Sequence, residues 1–125
     1  MTLPDTIPVL VIGAGPTGLT TAHLLARYGV ETLLVDALPE ALDIPRAVTI
    51  DDESLRTLEA GGQAEAVVAI TRPGQGSRYF LEGQVPFAEV GPGPTEYGWA
   101  KRNCFHQPDL ESVLIGTLAE QPAVM

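Results

Sequence analysis

Six residues near the start of the chain, Gly13-Ala14-Gly15-Pro16-Thr17-Gly18, have types and spacing suited to holding a pair of phosphates. They read G-x-G-x-x-G. Gly13 permits a tight turn, Gly15 lets the backbone approach a pyrophosphate, and Gly18 allows close packing of a helix on a strand. Amides left free at the start of a helix, with the positive end of its dipole, favour phosphate oxygens. Asp36 lies 18 residues beyond Gly18, where a carboxylate at the end of a second strand can accept from ribose hydroxyls. An acid there disfavours a 2′-phosphate on that ribose, since two anions would meet unpaired. Glycines can merely shape a turn, and a strand-end acid can merely be solvated. Together with the flanking elements, they point to a dinucleotide site.

Those elements are legible on both sides. "PVLVIGAG" is a short apolar run ending in glycines and is expected as a strand buried on both faces. "PTGLTTAHLLARYG" follows as a helix, with Leu19, Ala22, Leu25 and Ala26 at helical spacing and Gly29 as its stop. "VETLLVDA" reads as a second buried strand, completing a right-handed βαβ unit with parallel strands. "DDESLRTLEAGG" has acids in its first turn and glycine after its end, and "GQAEAVVAI" reads as another short helix.

From Thr71 the chain is rich in Gly and Pro. "SRYFL" and "QVPFAEV" are expected as a hairpin turning at Glu82-Gly83, with Pro86 at a sheet edge, and "GPGP" as loop. "QPDLESVLIGTLAEQ" then reads as a helix with Pro108 in its first turn and Leu110, Val113, Leu114 and Leu118 as its buried stripe. The closing "AVM" resembles the first residues of a third parallel strand, so the chain is expected to be cut before that strand is complete. The fold class expected is α/β, a Rossmann-like βαβ with a parallel sheet plus a β-hairpin excursion.

Composition excludes several functions. Seven Lys and Arg against sixteen Asp and Glu give a net charge of -9, so the basic footprint of a nucleic-acid binder is missing. Cys104 is the only cysteine, which rules out an internal disulfide or a multi-thiolate metal site, and no metal is expected. "MTLPDTIPV" holds an acid and no basic residue, unlike a secretory signal, and no apolar run approaches a membrane span of roughly 18 residues. A soluble cytoplasmic protein is expected, with no membrane partner. His23 and His106 have no carboxylate at catalytic spacing and read as structural, and Cys104 reads as a small buried hydrophobe.

These motifs resemble the FAD-dependent aromatic-ring monooxygenases of the para-hydroxybenzoate hydroxylase and phenol hydroxylase type. The resemblance runs over nearly the whole chain and corresponds to the N-terminal part of an FAD-binding domain, residues 1–125, without the rest of that domain or a substrate domain. Ala22 after Gly18, and Gly29 after Ala22, extend the glycine pattern as the family does. In "IPRAVTIDDESLRTLEAGG" the family places an arginine that reaches back to FAD; here it is Arg46, the only basic residue between Arg27 and Arg56. A guanidinium offers paired donors to phosphate or ribose oxygens; the bland alternative is a surface ion pair with Asp43 or Asp51. In "RNCFHQPDLESVL" the family's FAD-contacting glutamine corresponds to Gln107, which could otherwise cap the helix or face solvent.

The resemblance implies cofactor-binding roles for Gly13, Ala14, Gly15, Pro16, Thr17, Gly18, Asp36, Arg46 and Gln107, and assigns no catalytic acid or base. The family favours Glu at the end of the second strand; Asp36 is shorter and keeps the chemistry. The implied reaction uses NADH or NADPH to reduce FAD, and O2 to hydroxylate a small phenolic substrate; the resemblance leaves room for a homo-oligomer of the full-length enzyme. Trp99, Tyr97 and Phe105 could pack on the flavin or only on the hairpin, and packing on the hairpin is expected. Two rivals share the glycine motif: an NAD-dependent dehydrogenase, which would continue as regular βαβα, and a non-catalytic nucleotide-sensing module.

Overall fold

The computed structural model describes residues 5–39, 43–44, 46–74, 76–93 and 95–125; Pro45 of the Arg46 segment and Pro94 of the "GPGP" loop lie outside them. In chain order the first elements are β1 (Val9–Ile12), α1 (Pro16–Arg27), β2 (Thr32–Val35), β3 (Thr49–Asp51), α2 (Asp52–Gly61) and α3 (Ala64–Ala69). Then come β4 (Arg72–Pro73), β5 (Ser77–Phe80), β6 (Pro86–Val90), β7 (Arg102–Cys104) and α4 (Gln107–Leu118).

β1 and β2 are parallel, in register from Val9 opposite Thr32 to Ile12 opposite Val35. The last residues join the same sheet on the far side of β2. Thr32 N–H donates to Ala123 O at 2.9 Å, Met125 N–H to Thr32 O at 3.0 Å and Leu34 N–H to Met125 O at 2.9 Å. "AVM" therefore runs beside β2 as the start of a third parallel strand, with Val124 bridging Thr32.

The core is built from helices. Leu19 and Ala22 of α1 meet Leu55 and Leu58 of α2, Ala64 and Val67 of α3, and Leu110, Leu114 and Leu118 of α4. Leu34 packs against that cluster from the sheet. Side chains alternate across a strand, and the opposite face of the pair is open: Leu10 is 51% exposed and Ile12 79%. The expectation of strands buried on both faces is thus corrected, because no described element covers that second face.

α2 is well bounded. The Asp51 carboxylate accepts the Ser54 amide at 2.8 Å, and Gly62 ends the helix at φ 90°. Such a cap is worth about 1 kcal/mol. The hairpin forms as expected: β5 and β6 are antiparallel, Gly83 turns at φ 132°, and Pro86 lies in a two-stranded sheet where every strand is an edge. A third, antiparallel sheet in the order β3-β7-β4 was not visible in the sequence. Its strands are two or three residues long, too short for a period to show. The aromatic expectation is also corrected. Trp99 and Phe105 pack against the helical core, not the hairpin, and the Arg56 guanidinium sits 5.1 Å from the centre of the Tyr97 ring.

Candidate dinucleotide site

The glycine loop is tied down from two sides. Gly13 adopts φ 105°, a left-handed conformation that suits glycine, and its N–H donates to Val35 O at 2.7 Å. The next amide, of Ala14, donates to Asp36 Oδ2 at 2.7 Å, while Leu38 N–H donates to Asp36 Oδ1 at 2.8 Å. Asp36 thus joins the end of β2 to the loop. The Leu38 amide, and then that of Ala14, hold its carboxyl below the usual aspartate range. An ionised carboxylate has about four acceptor positions. Two are taken by the backbone, and the side chain is exposed, so acceptors remain for ribose hydroxyls.

Gly15 is the residue before α1, extended at φ -77° and ψ -178°, and Pro16 opens the helix. Its Cα faces open space: a Cβ there would meet nothing within 4 Å. Leu19 N–H makes the first helical bond, to Gly15 O at 2.9 Å. Among the described residues, the amides of Gly15, Thr17 and Gly18 have no protein acceptor. A helix start with unpaired amides and a side-chain-free approach fits a pyrophosphate. Gly18 plays a different part. A Cβ on it would collide with the carbonyl oxygen of Gly13, so only glycine lets α1 lie this close to the turn.

Arg46 is exposed and, among the described residues, has no ion-pair partner; neither Asp43 nor Asp51 holds its guanidinium. Its neighbour Ala47 lines a cavity of about 460 Å³ together with Pro16 and Thr17 of the helix start. The structure thus brings the arginine segment to the same cleft as the phosphate loop.

Gln107 is buried, and its amide is engaged by protein. Its Oε1 accepts from Arg46 N–H at 3.0 Å and from Ala47 N–H at 2.9 Å, and its Nε2 donates to Glu111 at 2.7 Å. The sequence pairs Arg46 and Gln107 as two cofactor contacts; the fold joins them to each other, side chain to backbone. Glu111, one helical turn along, went unnoticed in the sequence, although its i,i+4 spacing from Gln107 was a usable signal.

Of the remaining residues, His23 is buried beside the Leu114 carbonyl, 2.9 Å from its Nε2, consistent with a structural role. Burial pulls its pKa down, partly opposed by that carbonyl. His106, the residue before α4, does have a carboxylate neighbour, Asp109 of its first turn at 3.3 Å, but both are exposed. Cys104 is exposed, not buried: β7 alternates, and Asn103 takes the inward position. Among the described residues, no helix is long and apolar enough to cross a membrane, and no group of three or more His, Cys, Asp or Glu could hold a metal.

Residues 6–125 match the family described as FAD binding domain. The chain belongs to that family. FAD is therefore the dinucleotide, and the dehydrogenase alternative is set aside. Over 110 residues this FAD binding domain is 44% identical to a 3-(3-hydroxy-phenyl)propionate/3-hydroxycinnamic acid hydroxylase of Comamonas testosteroni, covering 88% of this chain and 19% of that protein. The protein of the same name in Mycolicibacterium vanbaalenii is 46% identical over 115 residues, covering 92% of this chain and 20% of its own. The chain spans about one fifth of the length of the curated relatives it matches. Within the aromatic hydroxylases, the sequence motifs themselves resemble this hydroxylase type. Among solved structures, the flavin-dependent monooxygenase PieE, in complex with FAD and substrate, superposes with a TM-score of 0.77 at 29% identity, over 98% of this chain and 24% of PieE.

Proposed function

We propose that this chain is the N-terminal part of the FAD-binding domain of a flavoprotein monooxygenase that hydroxylates a phenolic aromatic acid, using a reduced nicotinamide and O2. The observation that carries this reading is the open helix start at Gly15, with three amides unpaired among the described residues beside the Asp36 carboxylate. The hydroxylase names of relatives at 44% and 46% identity support the reaction class. FAD, when bound, supplies the redox and oxygen chemistry.

The protein's own contribution here is binding and orientation. The Gly13–Gly18 loop takes the pyrophosphate, and Asp36 accepts from the ribose hydroxyls of the adenosine half. Arg46, without a carboxylate partner among the described residues, reaches phosphate or ribose oxygens with its paired donors. No residue of this chain is assigned proton transfer. The test is spectroscopic: purified full-length enzyme is expected to be yellow, to release its flavin on denaturation, and to oxidise NADH or NADPH when given 3-(3-hydroxyphenyl)propionate, with a hydroxylated product. A colourless protein that binds NAD instead would refute the reading.

A further inference from the structure

The stripe of α4 that faces the core contains one residue out of character. Leu110, Leu114 and Leu118 are buried there, and so is Glu111, only 4% exposed. A buried carboxylate is costly unless it is hydrogen-bonded. Among the described residues, its hydrogen bond comes from Gln107 Nε2, at 2.7 Å.

That bond decides which way the Gln107 amide points. A side-chain amide has an acceptor end and a donor end. On one side stand two donors, the backbone N–H groups of Arg46 and Ala47; on the other stands a carboxylate, an acceptor. Turning the amide over would aim its NH2 at two N–H groups and its oxygen at an anion. Both neighbours therefore select the same orientation, and a partly buried backbone pair outside any strand gains its acceptor.

Resting on the reading that Arg46 meets FAD, we infer that Glu111 is a positioning residue. It locks the amide of Gln107 and, through it, holds the Arg46–Ala47 backbone at the rim of the cleft shared with Pro16 and Thr17.

Amide hydrogen exchange of the full enzyme freed of FAD, read by mass spectrometry with residue-resolving fragmentation, tests the clamp directly. In Glu111→Leu, which keeps the volume but cannot accept, exchange at Arg46 and Ala47 should rise roughly tenfold, the loss of about one hydrogen bond. The amides of Leu114 and Leu118 should keep their wild-type rates. Glu111→Gln can still accept, though it can equally donate, so the rise should be smaller, roughly two- to threefold; it carries the test alone if Glu111→Leu does not fold. Wild-type rates at Arg46 and Ala47, or an equal rise throughout α4, would overturn the proposal.

A second arm uses FAD titration of the full enzyme. Glu111→Leu should raise the FAD Kd roughly three- to tenfold, and this sensitivity should vanish in an Arg46→Ala background, as for residues acting through one contact. Simple additivity of the two substitutions overturns the positioning role. If Arg46→Ala alone leaves Kd unchanged, the assignment of Arg46 to FAD falls, while the exchange arm still decides the clamp.

Discussion

Gly15 and Gly18 stand three residues apart in one motif, yet the structure predicts opposite failures when each gains a side chain. At Gly18 the new Cβ would overlap the Gly13 carbonyl oxygen and lie 3.5 Å from Val11 Cγ1. The obstacle is backbone, so no rotamer change relieves it and α1 must lift from β1. Overpacking costs about 1–3 kcal/mol, and a backbone obstacle argues for the upper end. Replacing glycine by alanine in a helix returns about 1 kcal/mol. The net loss in Gly18→Ala is about 2 kcal/mol, a fall in Tm of roughly 6–10 °C for a chain of this size. At Gly15 the added atoms enter open space at an ordinary φ of -77°. Gly15→Val should therefore cost under about 1 kcal/mol, the difference between residues preceding a helix. It fills the approach to the unpaired amides, however, so FAD binding should be lost. The assays are thermal denaturation of this chain and flavin titration of the full enzyme. Equal loss of stability in both variants, or wild-type FAD affinity in Gly15→Val, would refute the division of labour.

Three further outcomes are expected. Asp36→Ala removes both the ribose acceptor and the anchor of the Ala14 amide, so FAD should bind roughly ten- to a hundredfold more weakly; an unchanged Kd in titration would show that the carboxylate is only a solvated strand end. Gln107→Ala leaves the Arg46 and Ala47 amides without their acceptor and Glu111 without its donor, so urea unfolding should show a loss of about 1–3 kcal/mol, whereas Arg46→Ala should weaken FAD binding with little loss of stability. His23 is buried, with Nδ1 unpartnered among the described residues, and burial holds its folded pKa below 6.5. The unfolded chain therefore binds the extra proton first, and stability present above about pH 6.5 is lost as pH falls towards the folded value. His23→Gln should flatten that stretch of the stability curve, and an identical slope in wild type and variant would exclude His23 as its source.

What the sequence disclosed follows a physical divide. The glycine loop, α1, β2 and Asp36 were legible because their signals are local: a motif, a period of 3.6, and an acid at a fixed distance. The hairpin and α4 announced themselves through turn residues and an apolar stripe. β3, β4 and β7 left no trace, since two or three residues show no period and their pairing partners lie far apart in the chain. For Cys104 residue type suggests burial, whereas the alternation of β7 turns it outward. Gln107 stands out through family resemblance as a cofactor contact, but the partners its amide meets in the fold do not. Which groups an amide meets depends on tertiary approach, and only the folded chain brings Arg46, Ala47 and Glu111 around it.

The bond from Arg46 to Gln107 spans 61 residues, while that from Ala14 to Asp36 spans 22. This difference orders the assembly of the site in time. As the chain leaves the ribosome, the phosphate loop can close on Asp36 within the first βαβ unit. The arginine segment must wait for α4, and at about 5–20 residues per second that wait is roughly 3–12 s. Arrested nascent chains that stop before and after α4 should accordingly share a protected glycine loop and differ in protease cleavage near Arg46. On the function proposed above, the two halves of the site would form as separate events, the glycine loop early and the Arg46 segment only when α4 docks.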